Sequence, residues 1–362
     1  MRTARVRVVL REVMPAVVRV IDVPATITLD DLHDVLQMAV GWTDSHLHQF
    51  RTDTATYGIP DEEWDDEELD ERGVRLADLP ARFVYAYDFG DGWEHDIEVI
   101  GSGGEVPGCV DGEGACPPED CGGPHGYDTM LAALADARHG EHESMLEWVG
   151  DRLRPFDREA TGRQVRAMVG EVPDSVRLVL DLLAGGVKLT PGGRLPRAAV
   201  RMVQAARPGW HPLGRPASIE EDLLPLAALH DILRHVGLAR LAKGVLWPTK
   251  AAGDDLEVVR RLRSWFEPGE FDTVVAERAV ALVASRGPQR TGELAREAFA
   301  LLGGGWRRGE NPITAHDVER TLRAMSHQLE AFDLIEATTS VWSAGASARS
   351  LLPGATLLAD LV

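Results

Sequence analysis

Residues 4–11 and 16–23 are rich in Val and Arg in near-alternation, with Met14-Pro15 between them. A period of two over eight residues predicts two strands joined as a hairpin. The period then changes: Leu29, Leu32, Val35, Leu36, Ala39 and Val40 recur at helical spacing, which predicts an amphipathic helix packed on a sheet. Thr28 reads as its N-cap, Asp30 and Asp31 place negative charge in its first turn, and Gly41 ends it. Ser45–Thr52 returns to strand spacing, with His46, His48 and Phe50 on one face and Leu47 on the other. Arg82–Tyr87 and Trp93–Ile100 are two more strands, joined by Asp88-Phe89-Gly90-Asp91-Gly92, where Asp-Gly favours a tight turn. A glycine-rich loop carrying the cysteines follows, and helices near 126–137 and 142–149 close the segment. The whole reads as α+β, a mixed β-sheet with helices packed on one face.

From residue 151 the chain is rich in Ala, Leu and Arg at helical spacing, and Gly/Pro clusters at 185–196, 207–216 and 303–312 divide it. Leu233-Arg234-His235-Val236-Gly237-Leu238 and Leu329-Glu330-Ala331-Phe332-Asp333-Leu334 share one apolar frame, and each is followed by hairpin-like residues and a Leu/Pro pair, Leu246 and Pro248 or Leu351 and Pro353. That is the trace of a degenerate duplication. The C-terminal half is therefore expected to be mainly α-helical, with winged-helix-like units: helices, a long helix and a two-stranded wing. With 362 residues against an ordinary core of about 100–200, the predicted divisions are 1–150, 151–270 and 271–362.

Charge separates the halves more sharply than hydropathy. Residues 1–150 hold 10 Lys and Arg against 32 Asp and Glu, a balance of −22, while the remainder holds 28 against 26, or +2. The first half repels phosphate, so any nucleic-acid contact belongs to the second. Asp61, Glu62, Glu63, Asp65, Asp66, Glu67, Glu68, Asp70 and Glu71 form a run that reads as a solvated loop. No apolar run approaches the roughly 18–20 residues of a membrane helix, and Met1-Arg2-Thr3-Ala4-Arg5 does not open a signal peptide. The expectation is a cytoplasmic protein without membrane contact.

Cys109, Cys116 and Cys121 crowd together, which in an intracellular chain suggests metal binding or free thiols rather than disulfides. Zinc would take the three thiolates with His95, or His125, as fourth ligand; three reduced thiols packing a loop is the other reading. His46 and His48, two apart on a strand, would flank a ligand with Asp88 and Asp91, or else pair across the sheet. Asp88-Phe89-Gly90 spells a kinase magnesium motif but lacks its companions, and reads as a turn. No Walker loop, zinc-protease pair or serine elbow is present, and Tyr127 is the last tyrosine, which excludes tyrosine-recombinase chemistry. In the last segment Thr291–Leu302 would support Thr314–Ala331 as a reading helix. His316, Arg320, Arg323 and His327 are then exposed on that helix and Arg349 lies in the wing, poised for a partner protein or for DNA.

Three blocks carry a resemblance: Gly41-Trp42-Thr43-Asp44-Ser45-His46-Leu47-His48-Gln49-Phe50, Tyr87-Asp88-Phe89-Gly90-Asp91-Gly92-Trp93-Glu94-His95, and Cys116-Pro117-Pro118-Glu119-Asp120-Cys121-Gly122-Gly123-Pro124-His125-Gly126-Tyr127. In this order they resemble the plasmid pRiA4b ORF-3-like family over residues 3–150. The resemblance implies an α+β fold and an association with plasmids and transposons, and implies no established activity. The expected function is that of a non-enzymatic binding or regulatory protein. The alternative is a metal-dependent hydrolase using His46, His48, Asp88, Asp91 and His95.

Overall fold

The computed structural model describes residues 2–60, 68–150, 152–211, 215–267, 269–303, 305–338 and 340–359, so Asp61–Glu67 of the acidic run lie outside the described residues. The chain divides into two compact units, Met1–Val169 and Gly170–Val362. No described helix is long and apolar enough to cross a membrane.

The first unit is built on β1 (Thr3–Leu10) and β2 (Val17–Pro24), followed by α1 (Leu29–Val40). Then come β3 (His48–Arg51), β4 (Thr56–Gly58), β5 (Leu69–Asp70), β6 (Arg82–Tyr87), β7 (Trp93–Ser102) and β8 (Gly108–Glu113). Helices α2 (Gly123–Ala135), α3 (His142–Val149) and α4 (Arg158–Val169) complete it. The strands form one sheet in the order β5-β4-β3-β6-β7-β1-β2-β8, antiparallel except for the β4–β5 pair. Alternation along the strands decides the two faces. Val6, Val8, Leu10, Ile21, Phe50, Phe83, Tyr85, Tyr87, Trp93 and Ile97 are buried, together with Leu29, Leu32, Val35, Leu36 and Ala39 of α1. Residues of the opposite parity pair as ions: Arg5 with Asp22, Arg11 with Glu94 and Asp96, Arg51 with Glu94, Arg82 with Glu98.

Three details depart from the periodicity. β3 begins at His48, so His46 precedes the strand. The cysteine loop contains a real strand, β8, in which Cys109 faces Ile21 across β2. And α4, which the sequence placed in the next segment, belongs to the first unit and covers β8.

The second unit repeats one order of elements. The first copy runs α5 (Asp174–Leu183), β9 (Val187–Lys188), α6 (Arg197–Ala206), α7 (Leu224–His235), β10 (Ala239–Ala242) and β11 (Val245–Pro248). After the connecting α8 (Asp255–Arg263), the second runs α9 (Phe271–Arg286), β12 (Gln289–Arg290) and α10 (Thr291–Ala300). A short hairpin of β13 (Arg307–Arg308) and β14 (Asn311–Pro312) leads to α11 (Ala315–Ala331), β15 (Ile335–Ala337) and β16 (Val341–Ala344), and α12 (Pro353–Ala359) ends the unit. Each copy closes a three-stranded sheet with its last strand central, β10-β11-β9 and β15-β16-β12. One apolar core serves both copies.

The duplicated frame marks the same turn in each. Gly237 and Asp333 both take the left-handed conformation, φ 71° and 52°. Leu238 N–H then reaches Leu233 O at 2.8 Å, and Leu334 N–H reaches Leu329 O at 3.0 Å. The later Leu/Pro correspondence does not hold: the counterpart of Leu246 on the central strand is Trp342, both buried, while Leu351 and Pro353 lie beyond β16. Arg349, expected in a wing, lies beyond the hairpin formed by β15 and β16.

Asp333 does more than turn the chain. Its carboxylate accepts from the Ser175 N–H at the start of α5 and from Arg207, each at 2.9 Å, tying the second copy to the first. We predict that Asp333→Gly, which keeps the left-handed turn, lowers stability by about 1–3 kcal/mol through the lost charged cap, and that Asp333→Ala costs about 1 kcal/mol more for the strained backbone. Urea unfolding of the full chain followed by tryptophan fluorescence and circular dichroism measures both; equal stability of all three proteins would refute the assignment.

Candidate functional site

Three turns meet at one end of the first unit's sheet. One runs from Gly41, which closes α1 with φ 89°, to His48; one is the Asp88–Gly92 turn between β6 and β7; the third leads through Glu119–Gly122 into α2. Asp88 N–H donates to Leu47 O at 2.9 Å. Glu119 ties the first and third turns together, accepting from Thr43 N–H at 3.0 Å, from the Thr43 hydroxyl at 2.6 Å and from the Tyr87 hydroxyl at 2.5 Å. Trp42 Nε1–H donates to Pro117 O at 2.8 Å, and Asp91 Oδ2 accepts from Gly122 N–H at 3.0 Å, at the N-terminus of α2 where negative charge is favoured. Gly123 is required there: a Cβ would stand 2.2 Å from Asp91 O.

On the solvent side of this junction His46 Nε2 lies 3.1 Å from Asp120 Oδ1 and 3.5 Å from Asp88 Oδ2. Asp88 uses its other oxygen to accept from Gly90 and Asp91 N–H at 3.1 and 3.3 Å, an Asx turn rather than a kinase-type motif. Asp44, Asp88 and Asp120 all have left-handed backbone, φ 55°, 53° and 60°. Such a conformation in a residue other than glycine carries strain, which concentrates at functional sites.

Behind it, under α1, is a polar cluster of buried side chains that is closed at its rim by the exposed Asp44. Asp44 N–H donates to Gln37 Oε1 at 3.1 Å, which orients the amide so that Nε2 donates to the Tyr85 hydroxyl oxygen at 2.8 Å. The hydroxyl hydrogen then goes to His33 Nδ1 at 2.7 Å, leaving the His33 proton on Nε2, which donates to Asp44 Oδ1 at 2.9 Å. The four residues form a closed ring of hydrogen bonds with one direction. His48 stacks on His33 with centroids 3.5 Å apart and planes 7° apart, and its Nε2 reaches both oxygens of buried Glu71, at 3.0 and 2.9 Å. Burial and the charge of His48 push the His33 pKa down to about 4. Burial also raises the Tyr85 and Tyr87 hydroxyls above the usual phenol range, for Tyr87 with help from Glu119.

Residues 2–164 match the family described as plasmid pRiA4b ORF-3-like protein. Over 155 residues the chain is 48% identical to the uncharacterised protein y4hQ of Sinorhizobium fredii, covering 40% of this chain and 80% of that one. The chain belongs to the pRiA4b ORF-3-like family. The crystal structure of MM3350, a protein of unknown function from Methanosarcina mazei Go1, aligns at 31% identity with TM-score 0.40, over 44% of this chain and 96% of that one. The family match runs into α4, which the first unit also includes.

In this pRiA4b ORF-3-like unit the residues expected to act together are partly separated. His46 and Asp88 converge, whereas His48 turns to Glu71, Asp91 holds α2, and His95 lies 1% exposed beneath Trp42, its Nδ1 3.3 Å from Tyr85 O. Among the described residues, the groups of three or more donors within metal-binding reach are His33/Asp44/His48 and His46/Asp88/Asp120. Cys109, Cys116, Cys121 and His95 do not form such a group: Cys109 sits on β8 with its thiol near Asp111 O, and His95 is enclosed in the core. Burial raises the thiols, to about 12 for Cys116 and Cys121, although Arg19 opposes this for Cys109 and Cys116. Thiols so raised are protonated at neutral pH. His125 opens α2 and is not in either group.

Arg320 is paired with Asp317 at 2.8 Å and Arg323 with Glu319 at 2.6 Å, while Arg349 donates to Ala284 O at 2.9 Å. His33, Gln37, Asp44, Glu71 and Asp120 were not singled out from the sequence. The signal for His33 and Gln37 was their place on the apolar stripe of α1, where a polar residue must find a buried partner. Glu71 was absorbed into the acidic run, yet it is 3% exposed.

Both His33 and His95 have folded-state pKa values near 4, chiefly from burial, below the ordinary 6.5. The unfolded chain therefore binds protons first as pH falls, so the stability these neutral rings contribute is present above about 6.5 and lost on descending toward about 4. Each should add a slope of up to about 1.4 kcal/mol per pH unit in that window. Urea midpoints measured from about pH 7 to 4.5 should show a shallower acid loss in His33→Gln and in His95→Gln than in the parent; parallel curves would contradict the burial argument.

Proposed function

We propose that this protein is a non-enzymatic binding protein: the acidic pRiA4b ORF-3-like unit carries a ligand site at its three-turn junction, and the second unit contacts a partner protein through winged-helix-like copies. The observation that carries the reading is the doubled order helix, strand, helix, helix, strand, strand, with a matched turn after α7 and α11. This order resembles that of winged-helix modules, which serve both protein and DNA contacts.

The surface chemistry favours protein over DNA. Arg320 and Arg323 are each neutralised by a carboxylate on their own helix, and Asp317 also holds Arg308 at 2.9 Å. A helix presenting Asp317 and Glu319 beside its arginines repels phosphate about as much as it attracts it. The first copy instead exposes Met202, Ile219, Leu224 and Leu241, apolar side chains of the kind an interface buries. The hydrolytic alternative is weakened because, of its five residues, His46 and Asp88 pair as side chains while the side chains of His48 and Asp91 turn to Glu71 and Gly122 and His95 is enclosed in the core.

A labelled random duplex titrated at low salt is expected to show no association in the range of about 10⁻⁴–10⁻⁶ M typical of non-specific DNA binders. Host proteins co-eluting with the tagged chain should be lost in Met202→Asp/Leu224→Asp. Salt-sensitive duplex binding that falls in Arg320→Ala or Arg323→Ala would replace this reading with the DNA one.

A further inference from the structure

We propose that His46, Asp88 and Asp120 bind a divalent first-row transition ion where the three turns of the first unit meet. The inference concerns this site alone and stands whether or not the second unit has a protein partner.

Spacing is the first argument. Ligands held about 2.0–2.2 Å from a tetrahedral ion lie roughly 3.3–3.6 Å from one another, and the two carboxylate oxygens lie 3.1 and 3.5 Å from His46 Nε2. The three donor atoms are all mutually within 4.8 Å. A mixed set of one imidazole and two carboxylates suits ions such as Zn²⁺ or Mn²⁺, with the His46 proton carried on Nδ1 and the lone pair of Nε2 turned to the metal.

Charge is the second. On the sheet's opposite face Asp22, Glu94, Asp96 and Glu98 each have an arginine partner. At the junction Asp44, Asp88, Asp91, Glu119 and Asp120 have none: among the described residues their ion pairs are to His33 and His46 only. Carboxylates gathered without a fixed cation repel one another, and a divalent ion bound between Asp88 and Asp120 offsets that repulsion.

Preorganisation is the third. Asp88 is 7% exposed, with Oδ1 spent on its own turn and Oδ2 turned to His46. Glu119, bonded to Thr43 and Tyr87, fixes the segment that presents Asp120. Asp120 itself is open, its side chain 72% exposed, which leaves room for water or a further ligand on the ion. The neighbouring His33/Asp44/His48 group lacks this freedom, because His33 spends both ring nitrogens in the closed hydrogen-bond ring and His48 spends Nε2 on buried Glu71, which lies outside the group.

The test uses the full chain, tag-free and stripped with chelator, titrated with Zn²⁺ and with Mn²⁺ by calorimetry and equilibrium dialysis. One ion per chain is expected, with affinity reduced at least about 10-fold in His46→Ala and in Asp88→Asn, which keeps the turn's acceptor oxygen. Cys116→Ser/Cys121→Ser should bind as the parent does. Circular dichroism and tryptophan fluorescence confirm folding, and His46→Gln replaces His46→Ala if the latter unfolds. No binding up to about 1 mM, the weak end of affinities for built protein metal sites, overturns the proposal. So does affinity unchanged in the His46 and Asp88 variants, or lost in the cysteine variant instead.

Discussion

A helix laid over a sheet excludes water from every polar atom beneath it, and a buried donor or acceptor without a partner costs about 1–3 kcal/mol. Under α1 the sheet presents Tyr85 and His48, and the helix brings His33 and Gln37. The directed ring through Asp44, Gln37, Tyr85 and His33, with the His48–Glu71 pair stacked beside it, is the arrangement that keeps these groups satisfied. It also has a consequence outside the core. Asp44 belongs to the turn that carries His46, so the same hydrogen bonds that allow α1 to bury its polar side chains also hold the first wall of the candidate site. Stability and site geometry share one set of contacts.

That sharing explains which parts of the molecule were legible in the sequence. Alternation in β1 and β2 and the helical stripe of α1 are repeated signals, each position agreeing with the next, and the boundaries follow closely. β8 has no such signal: Gly108, Asp111, Gly112 and Glu113 are poor strand formers, and the segment is extended because β2 pairs with it and α4 covers it. The site lies between these extremes. His46, Asp88 and Asp91 stood out as chemical residues in the quoted blocks, but their companions depended on which turn meets which, a fact of tertiary structure that spacing does not encode. Asp120 lies in the same block as two cysteines that drew attention to thiolate chemistry, and it is the carboxylate, rather than the sulfurs, that faces His46.

The duplication in the second unit was readable where backbone conformation constrains sequence most, at the left-handed turns after α7 and α11. Glycine occupies the position in one copy and Asp333 in the other, and the aspartate is tolerated because its carboxylate is used twice, on Ser175 and on Arg207. The hairpins diverged further. Leu246 and Trp342 fill equivalent central positions with side chains of different size, and a short strand needs only a buried residue that packs, so sequence similarity fades there while topology persists.

The distribution of charge in the first unit separates two uses of acidic residues that composition alone merges. Carboxylates on the sheet's exposed face are matched by arginines on the adjacent strand or, for Arg51, two strands away, an arrangement that contributes little stability per pair but leaves little net local field. Carboxylates at the three-turn junction are matched by imidazoles or by backbone N–H groups, held on left-handed aspartates and fixed to one another through Glu119, Thr43 and Tyr87. Arginine partners would have relieved the repulsion permanently, as they do a few residues away on the same strands. Their absence among the described residues beside a preorganised His46 leaves a field suited to a cation, and this contrast within one sheet, rather than the total of −20, is what makes the junction the candidate ligand site of the unit.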